Sequence, residues 1–227
     1  ISDLAVTLNK MGAKIKIEKK GVIKINGVKS LTKASHKIMS DRIVAGTFVI
    51  AAVMLNTNFL VKAIESSHIE ALTSILIKMG AKLKINKNSI QIMPAKSLNG
   101  IKIHTAPYPG FPTDLQAQIM ALMSLANSNS QIKENIFENR FMHVPELNRL
   151  GAKIKVKKDI AYIVGNRNFK GAQVMASDLR ASVSLVLAAL CAEGESVINR
   201  IYHLDRGYER IENTLGKLGP SIKREKY

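Results

Sequence analysis

The 227-residue sequence contains one cysteine, no tryptophan and only 5% aromatic residues. A single cysteine, Cys191, cannot form an internal disulfide, which agrees with a reducing compartment, and it excludes zinc sites built from cysteines. The scarcity of aromatic rings leaves few platforms on which nucleic-acid bases could stack. Histidines occur at five scattered positions without the spacing typical of metal ligands: His36, His68, His104, His143 and His203.

Long apolar runs are also missing. The longest, residues 43–55, is too short to cross a bilayer and contains Gly46 and Thr47. The first residues lack the basic-then-apolar order of a secretory signal and do not begin with Met. We therefore expect a cytoplasmic protein, or a piece of one, that has no membrane partner. With 46% hydrophobic and 22% charged residues, it can bury a substantial core.

Acidic residues number 17 against 34 basic ones, so the formal net charge is +17. A basic domain can bind nucleic acid because it releases counterions from the phosphate backbone. The lysines, however, alternate with apolar residues, as in the pairs Lys14 and Lys16, Lys82 and Lys84, Lys153 and Lys155. Such alternation is typical of the solvated face of a strand. We therefore expect no nucleic-acid partner, and a basic surface that suits a phosphorylated small substrate.

A ten-residue phrase recurs four times: LNKMGAKIKI from Leu8, LIKMGAKLKI from Leu76, LNRLGAKIKV from Leu147 and LGKLGPSIKR from Leu215. Each copy predicts the end of an amphipathic helix, a stop at a glycine, and then an alternating strand. The four glycines are Gly12, Gly80, Gly151 and Gly219. After Gly80 the alternation occurs twice around residues 86–89, which predicts two short strands joined by a tight turn.

A second helix is predicted in three places, each opening with a small polar residue and an aspartate. The predicted N-caps are Ser40, Thr113 and Ser177, and the aspartates Asp41, Asp114 and Asp178 favour a helix N-terminus. With one strand between the helices, the repeated unit is helix, strand, helix, glycine, strand, strand. Full copies lie near residues 41–104 and 113–176, and a third begins at residue 177.

Residues 1–38 hold only the later half of a further unit. A chain that begins in the middle of a unit exposes a helix face and a hairpin edge, which the missing half would cover. We therefore expect an α/β protein that is a fragment of a larger one.

Irregular stretches on a regular scaffold commonly carry functional sites. The first, TAPYPGFPTD at residues 105–114, holds three of the six prolines and leads to Asp114. This aspartate is either a general base fixed by a stiff loop or simply the cap of the next helix. The second, IFENRFMHVPEL at residues 136–147, contains Arg140, which is either packed at a helix end or part of an anion site.

The third irregular stretch is NRIYHLDRGYERIE at residues 199–212. Its three arginines alternate with tyrosines and acidic residues: Arg200, Arg206 and Arg210. A surface charge network and a clamp for phosphate or carboxylate explain this pattern equally well.

Four runs, APYPGFPTD, ENRFMHVPEL, AQVMASDLRAS and YHLDRGYERIE, resemble signatures of the enolpyruvyltransferases, in particular of the UDP-N-acetylglucosamine 1-carboxyvinyltransferase family. The likeness extends over essentially the whole chain and corresponds to roughly the C-terminal half of a family member. It implies an inside-out α/β barrel fold with two globules, each built from repeated βαβαββ units around buried helices. Residues 1–38 would end the first globule, and residues 39–227 would form most of the second, incomplete at the N-terminus.

The resemblance implies transfer of the enolpyruvyl group of phosphoenolpyruvate to the 3′-hydroxyl of UDP-N-acetylglucosamine, with release of phosphate, in bacterial peptidoglycan synthesis. This chemistry needs a base for the hydroxyl, an acid for the methylene carbon, and cations for phosphate and carboxylate. The family implies no cofactor and no metal, so arginines and lysines supply the positive charge. The expected partners are the two substrates and the missing N-terminal half.

Five residues are assigned to the site by the motifs that match. The resemblance implies that Asp114 contacts and deprotonates the sugar hydroxyl, and that Arg206 is catalytic and binds phosphoenolpyruvate. Ile136 matches a nucleotide-sugar contact, Arg140 lines the cleft, and Asp178 matches the remaining acidic position.

The sequence also departs from the family pattern. The family's loop cysteine and its N-terminal Lys-Asn pair have no counterpart here, and Cys191, in an apolar helix, is expected to be a core thiol. Val44 stands where glutamate is usual, and Pro220 replaces an alanine. We therefore expect the chain to be inactive alone. The alternative is a catalytically dead remnant that binds anions or a partner half; enolpyruvylshikimate-phosphate synthase resembles the chain less.

Overall fold

The computed structural model describes residues 1–166, 168–217 and 219–225. The chain separates into two compact units, Ile1–Ser40 and Asp41–Tyr227. Both contain helices and strands, so the predicted α/β class is confirmed. Of the helices described, none combines the length and apolar character that a membrane crossing requires.

The first unit consists of one helix and one hairpin. Helix α1 (Ser2–Lys10) is followed by strands β1 (Lys14–Ile17) and β2 (Ile23–Asn26), which pair antiparallel. Among the residues described in this unit, only Ala5 is buried. Large apolar side chains remain exposed instead, such as Leu4 and Ile25. The unit therefore has very little core of its own.

The second unit contains six helices and nine strands among its described residues. The helices are α2 (Arg42–Met54), α3 (Glu70–Met79), α4 (Gln116–Leu125), α5 (Val144–Arg149), α6 (Leu179–Leu190) and α7 (Ile211–Gly216). The strands are β3 (Phe59–Lys62), β4 (Lys82–Asn86), β5 (Ser89–Met93), β6 (Lys102–His104), β7 (Ser130–Lys133), β8 (Ile154–Lys157), β9 (Ile160–Ile163), β10 (Gln173–Met175) and β11 (Val197–Asn199).

Helices α2, α4 and α6 form the centre of this unit. All of α4 except its last residue is buried, and α4 packs against both α2 and α6. A helix that is apolar around its whole circumference is stable only when other elements cover every face. Side chains such as Ile50, Leu122 and Leu185 are fully buried, and burial of each contributes roughly 1.5–3 kcal/mol. The core therefore lies along these helices.

The strands lie in small sheets. Strands β3, β5 and β4 form an antiparallel sheet, while β6, β7, β9 and β8 form a mixed one in which β6 and β7 run parallel. Strands β10 and β11 form a parallel pair. In β5, Ile90 and Ile92 are buried while the alternate residues are only partly buried. The alternating lysines are all exposed, which confirms the predicted solvated faces.

The repeated phrase has one conformation at its glycine. Gly12, Gly80, Gly151 and Gly219 all have φ between +100° and +116°, where a side chain would be strained. Helix α3 ends at Gly80, and β4 and β5 are joined across residues 87–88, so the predicted stop and tight turn are confirmed. The fourth phrase includes residue 218, which lies outside the described residues.

The predicted N-caps Ser40, Thr113 and Ser177 are wrong. Helices α2 and α6 begin one residue later than expected, so the aspartates themselves occupy the cap positions. The carboxylate of Asp41 accepts hydrogen bonds from the backbone N–H groups of residues 43 and 44, at 2.7 and 3.1 Å. The carboxylate of Asp178 accepts from those of residues 180 and 181, at 2.7 and 3.0 Å. Each aspartate thus satisfies helix N–H groups that would otherwise lack a partner.

Candidate active site

Asp114 lies in a short 3-10 helix, Thr113–Leu115, between the proline-rich stretch and α4. The N-cap residue of α4 is Leu115, and no side chain caps that helix, so the capping interpretation of Asp114 is wrong. Its carboxylate instead meets two guanidinium groups. Arg140 Nη2 lies 2.9 Å from Oδ1, and Arg180 Nη2 lies 3.0 Å from Oδ2. Both carboxylate oxygens are therefore held by cations.

These ion pairs are near the surface. The side chain of Asp114 is 38% exposed, that of Arg140 26% and that of Arg180 21%. Solvent reaches all three groups, so the pairs contribute little to stability. Their arrangement leaves an accessible carboxylate edge, because each oxygen has a second lone pair beyond its arginine. A substrate hydroxyl could donate a hydrogen bond there.

Arg180 is a site residue that sequence reasoning missed. It is the second residue of α6, and the Asp178 cap fixes the backbone at this position. The signal was present, since Arg180 lies in the run AQVMASDLRAS and directly follows a predicted helix start. Asp178 itself acts here as a cap, and it also accepts a hydrogen bond from the hydroxyl of Ser177 at 3.3 Å.

Arg140 lies in a turn before α5, and its guanidinium carbon lies 5.3 Å from the ring centre of Phe137. The ring of Phe137 is itself 56% exposed. Ile136 is partly buried, and its backbone N–H donates to the carboxylate of Glu134 at 2.9 Å. Residues 134–142 line one side of an open cavity of about 890 Å³. Ile136 and Arg140 thus border the same cavity, and Arg140 connects it to Asp114.

His143 is buried beside these charges. Burial lowers the pKa of His143 to about 4; Asp178 opposes this shift and Arg140 adds to it. The imidazole is therefore neutral at neutral pH. Within the described part of the chain, its Nε2 has no hydrogen-bond partner.

Arg206 ends a 3-10 helix, Ile201–Arg206, and its side chain is exposed. Among the described residues it makes no ion pair or side-chain hydrogen bond. The next residue, Gly207, packs against the start of α6, where an added Cβ would lie 3.0 Å from Leu179. The segment of Arg206 therefore lies at the same end of α6 as Arg180.

Of the two interpretations of residues 199–212, the charge network is found only in part within the stretch. Arg200 donates to the hydroxyl of Tyr202 at 3.0 Å. Asp205 instead forms two hydrogen bonds with Arg224, at 2.9 and 2.8 Å, and these lower the pKa of Asp205. The pattern within the stretch did not reveal this partner, because Arg224 lies beyond it.

A buried polar chain joins the segment of Arg206 to Asp114. The hydroxyl of Tyr208 lies 2.7 Å from that of Thr47 in α2, and burial raises the pKa of Tyr208. Gln118 Nε2 donates to Thr47 at 3.2 Å and to the backbone carbonyl of Asp114 at 3.0 Å. Helices α2 and α4 therefore hold both segments through interior hydrogen bonds.

The structure explains some of the departures from the family pattern. Val44 is partly buried against an apolar cluster that includes Val183, Leu204 and Tyr208, so its side chain has apolar neighbours. Cys191 packs against the main core, and burial raises the pKa of its thiol to about 11, as for a core thiol. Nothing in the structure explains Pro220.

Comparison with known proteins identifies the family. A family model described as EPSP synthase (3-phosphoshikimate 1-carboxyvinyltransferase) matches residues 1–215. The UDP-N-acetylglucosamine 1-carboxyvinyltransferase of Pelagibacter ubique (strain HTCC1062) is 54% identical over 224 residues, which are 99% of this chain and 54% of that protein. The predicted resemblance to such proteins is therefore confirmed. The chain spans about half the length of the curated relatives it matches.

Solved structures give the same result. The enolpyruvyl transferase NikO from Streptomyces tendae matches with a TM-score of 0.90 at 25% identity, over 98% of this chain and 53% of that one. An EPSP synthase from Acinetobacter baumannii matches in fold, with a TM-score of 0.78 at 17% identity, over 97% of this chain and 54% of that one. Since the family model covers most of the sequence, the chain belongs to the EPSP synthase family of enolpyruvyl transferases.

Proposed function

We propose that this chain forms part of an enzyme that transfers the enolpyruvyl group of phosphoenolpyruvate to the 3′-hydroxyl of UDP-N-acetylglucosamine in peptidoglycan synthesis. The observation that carries the proposal is the accessible carboxylate of Asp114 between Arg140 and Arg180. The relative that is 54% identical supports this choice of acceptor, since it is named a UDP-N-acetylglucosamine 1-carboxyvinyltransferase.

Asp114 is the proposed general base. It accepts the proton of the 3′-hydroxyl as the hydroxyl oxygen bonds to C2 of phosphoenolpyruvate, while an acid adds a proton to C3. The tetrahedral adduct then loses phosphate from C2 and a proton from C3, which restores the double bond in the product. Two guanidinium groups on the carboxylate fix its direction, which is the positioning that such an addition requires.

The remaining site residues supply binding contacts in this proposal. Arg206 is exposed and makes no ion pair or side-chain hydrogen bond with the described parts of the chain, so it can bind the phosphate or carboxylate of phosphoenolpyruvate. Ile136 and Arg140 border the cavity that would receive the sugar nucleotide. Asp178 fixes the start of α6 and thereby Arg180.

We also propose the domain assignment. Residues 39–227 would be most of one inside-out α/β barrel globule of βαβαββ units, and residues 1–38 the end of another. The order β6, α4, β7, α5, β8, β9 supports such a unit. The matched relatives are about twice as long, which supports an N-terminal half as partner. In this proposal the chain is inactive when it is alone. It acts in the cytoplasm when it is joined to that half.

The test joins this chain to the preceding part of the Pelagibacter ubique relative and measures phosphate release. We expect release only when phosphoenolpyruvate and UDP-N-acetylglucosamine are both present, and no release by the unjoined chain. Asp114→Asn should abolish most of the phosphate release. Asp41→Asn is the matched control, because it makes the same change at a helix cap, and it should not abolish the release. A well-folded fusion that releases no phosphate would support the inactive remnant. Release with shikimate 3-phosphate instead would make it an EPSP synthase.

A further inference from the structure

Glu134 is a buried carboxylate, 5% exposed, directly after β7. Its Oε1 accepts from the Thr105 hydroxyl at 2.8 Å, the Ile136 N–H at 2.9 Å and the Phe137 N–H at 3.3 Å. Its Oε2 accepts from the Thr113 hydroxyl at 2.9 Å. A buried charge is tolerated only when such donors replace its hydration. Glu134 makes no ion pair among the described residues, so these four donors are the groups that replace its hydration.

The four donors belong to two of the three irregular stretches. Thr105 and Thr113 are in the proline-rich stretch that leads to Asp114, and the two N–H groups begin the segment that contains Arg140. Arg140 then returns to Asp114 through the ion pair at 2.9 Å. The buried Glu134 is thus connected to the accessible Asp114 in two ways, through Thr113 and through the segment that contains Arg140.

We propose that Glu134 is a positioning residue that sets the distance between the base, Asp114, and the sugar-nucleotide contact at Ile136. This rests on the proposed function, because the acceptor substrate is what those two residues would hold. Glu134 borders the cavity, but its carboxylate oxygens already accept from four donors of the protein. Its effect passes through Thr113 on one side and the backbone N–H of Ile136 on the other.

A carboxylate suits this position better than an amide, because all four neighbours donate. In Glu134→Gln the amide oxygen can keep its three bonds only if the NH2 group faces Thr113, whose hydroxyl must then turn and accept. The substitution therefore removes the charge and weakens the side nearest Asp114. Thr113→Val removes the same contact from the other end and leaves the three bonds to Oε1 in place.

The first experiment measures kcat and both KM values for the fusion with the Pelagibacter ubique segment, with Glu134→Gln or Thr113→Val. We expect kcat/KM for UDP-N-acetylglucosamine to fall about 10-fold, the effect of one lost hydrogen bond to a charged group, with an unchanged KM for phosphoenolpyruvate. Thr73→Val is the matched control, since the hydrogen bond of this buried hydroxyl among the described residues stays within α3, to the Glu70 carbonyl at 3.1 Å. A fall in kcat that only matches a fall in the folded fraction, measured by urea unfolding of the same preparations, would overturn the proposal, as would unchanged kinetics.

The second experiment needs no turnover. Amide hydrogen exchange of the unjoined chain should show protected N–H groups at Ile136 and Phe137, which lose protection at least about 10-fold in Glu134→Ala while the α4 amides stay protected. Equal exchange in both proteins would overturn the positioning role. An inactive fusion would thus refute the proposed transferase function. The exchange experiment would still show whether Glu134 holds the N–H groups of Ile136 and Phe137.

Discussion

The starts of α4 and α6 look alike in sequence but differ in structure. In both, a small hydroxyl residue precedes an aspartate, Thr113 with Asp114 and Ser177 with Asp178. Asp178 is directly followed by α6 and binds its first N–H groups, whereas α4 begins two residues after Asp114. A side chain can cap only from the position next to the helix. Because of that offset, the aspartate of one similar dipeptide is a cap and that of the other is an accessible carboxylate.

The start of α2 has the same arrangement as the start of α6. Asp41 caps α2 with the same two backbone contacts that Asp178 makes at α6. Of the three helices that an aspartate precedes at its start, α4 alone follows a short 3-10 helix, which begins after Pro112 and carries the carboxylate towards Arg140 and Arg180. The exception at Asp114 is therefore a local change in helix geometry rather than a change of residue type.

The largest expected effect tests the exceptional site. Asp114→Asn removes the base, so kcat of the fusion should fall about 10²–10⁴-fold, the usual contribution of a positioned general base. Its free energy of unfolding should change by less than about 1 kcal/mol, because the ion pairs are near the surface. Steady-state kinetics and urea unfolding of the same preparations measure both.

A large loss of stability in Asp114→Asn would show that the aspartate is mainly structural, and nearly normal turnover would show that it is not the base. Arg180→Gln provides a graded comparison. It releases only Oδ2 and leaves the contact between Arg140 and Oδ1, so its loss of kcat should be smaller than that of Asp114→Asn.

The pH dependence of the free energy of unfolding tests the buried imidazole of His143, which lies near Asp178 and Arg140. His143 has a pKa of about 4 in the folded chain against 6.5 when exposed. Between pH 4 and pH 6.5 the imidazole binds a proton more readily in the unfolded chain than in the folded chain. The free energy of unfolding therefore decreases as the pH falls from 6.5 towards 4. The loss should reach roughly 3 kcal/mol at pH 4 and be absent at pH 7. Urea unfolding at pH 7, 5 and 4 measures it.

Carboxylates also titrate in this range, so the comparison needs a matched variant. His143→Gln removes the titrating ring, and its stability should fall less steeply between pH 6.5 and pH 4 than that of the unchanged chain. His104→Gln, on the exposed part of β6, should follow the unchanged chain. Parallel curves for all three proteins would contradict the role of His143.

Local features could be predicted from the sequence because they depend on neighbours along the chain. The glycine stop after α3, the turn between β4 and β5, and the exposed lysines follow from periodicity and from the conformational freedom of glycine. The three buried helices were also located, although their first residues were placed one or more positions too early.

The candidate site was only half predictable, because it depends on contacts between distant segments. Asp114 and Arg140 are 26 residues apart, and periodicity does not show which irregular stretches meet. The contacts that bring Arg180 to Asp114 and Glu134 to Thr113 could not be predicted for the same reason. The choice between cap and base at Asp114 stayed open because Thr-Asp and Ser-Asp have the same local preference for a helix start.

The smallest expected effect concerns the ordinary caps. Asp41→Ala should lower the free energy of unfolding by about 1 kcal/mol, since two N–H groups of α2 lose their acceptor. Asp41→Asn should be nearly neutral, because the amide oxygen can accept the same bonds. Urea unfolding of both variants at neutral pH separates the hydrogen bonds from the charge. Equal losses would mean that the interaction of the negative charge with the helix dipole matters more than the bonds. The difference between Asp41 and Asp114, which lacks these hydrogen bonds, would then depend on where the negative charge lies relative to the helix.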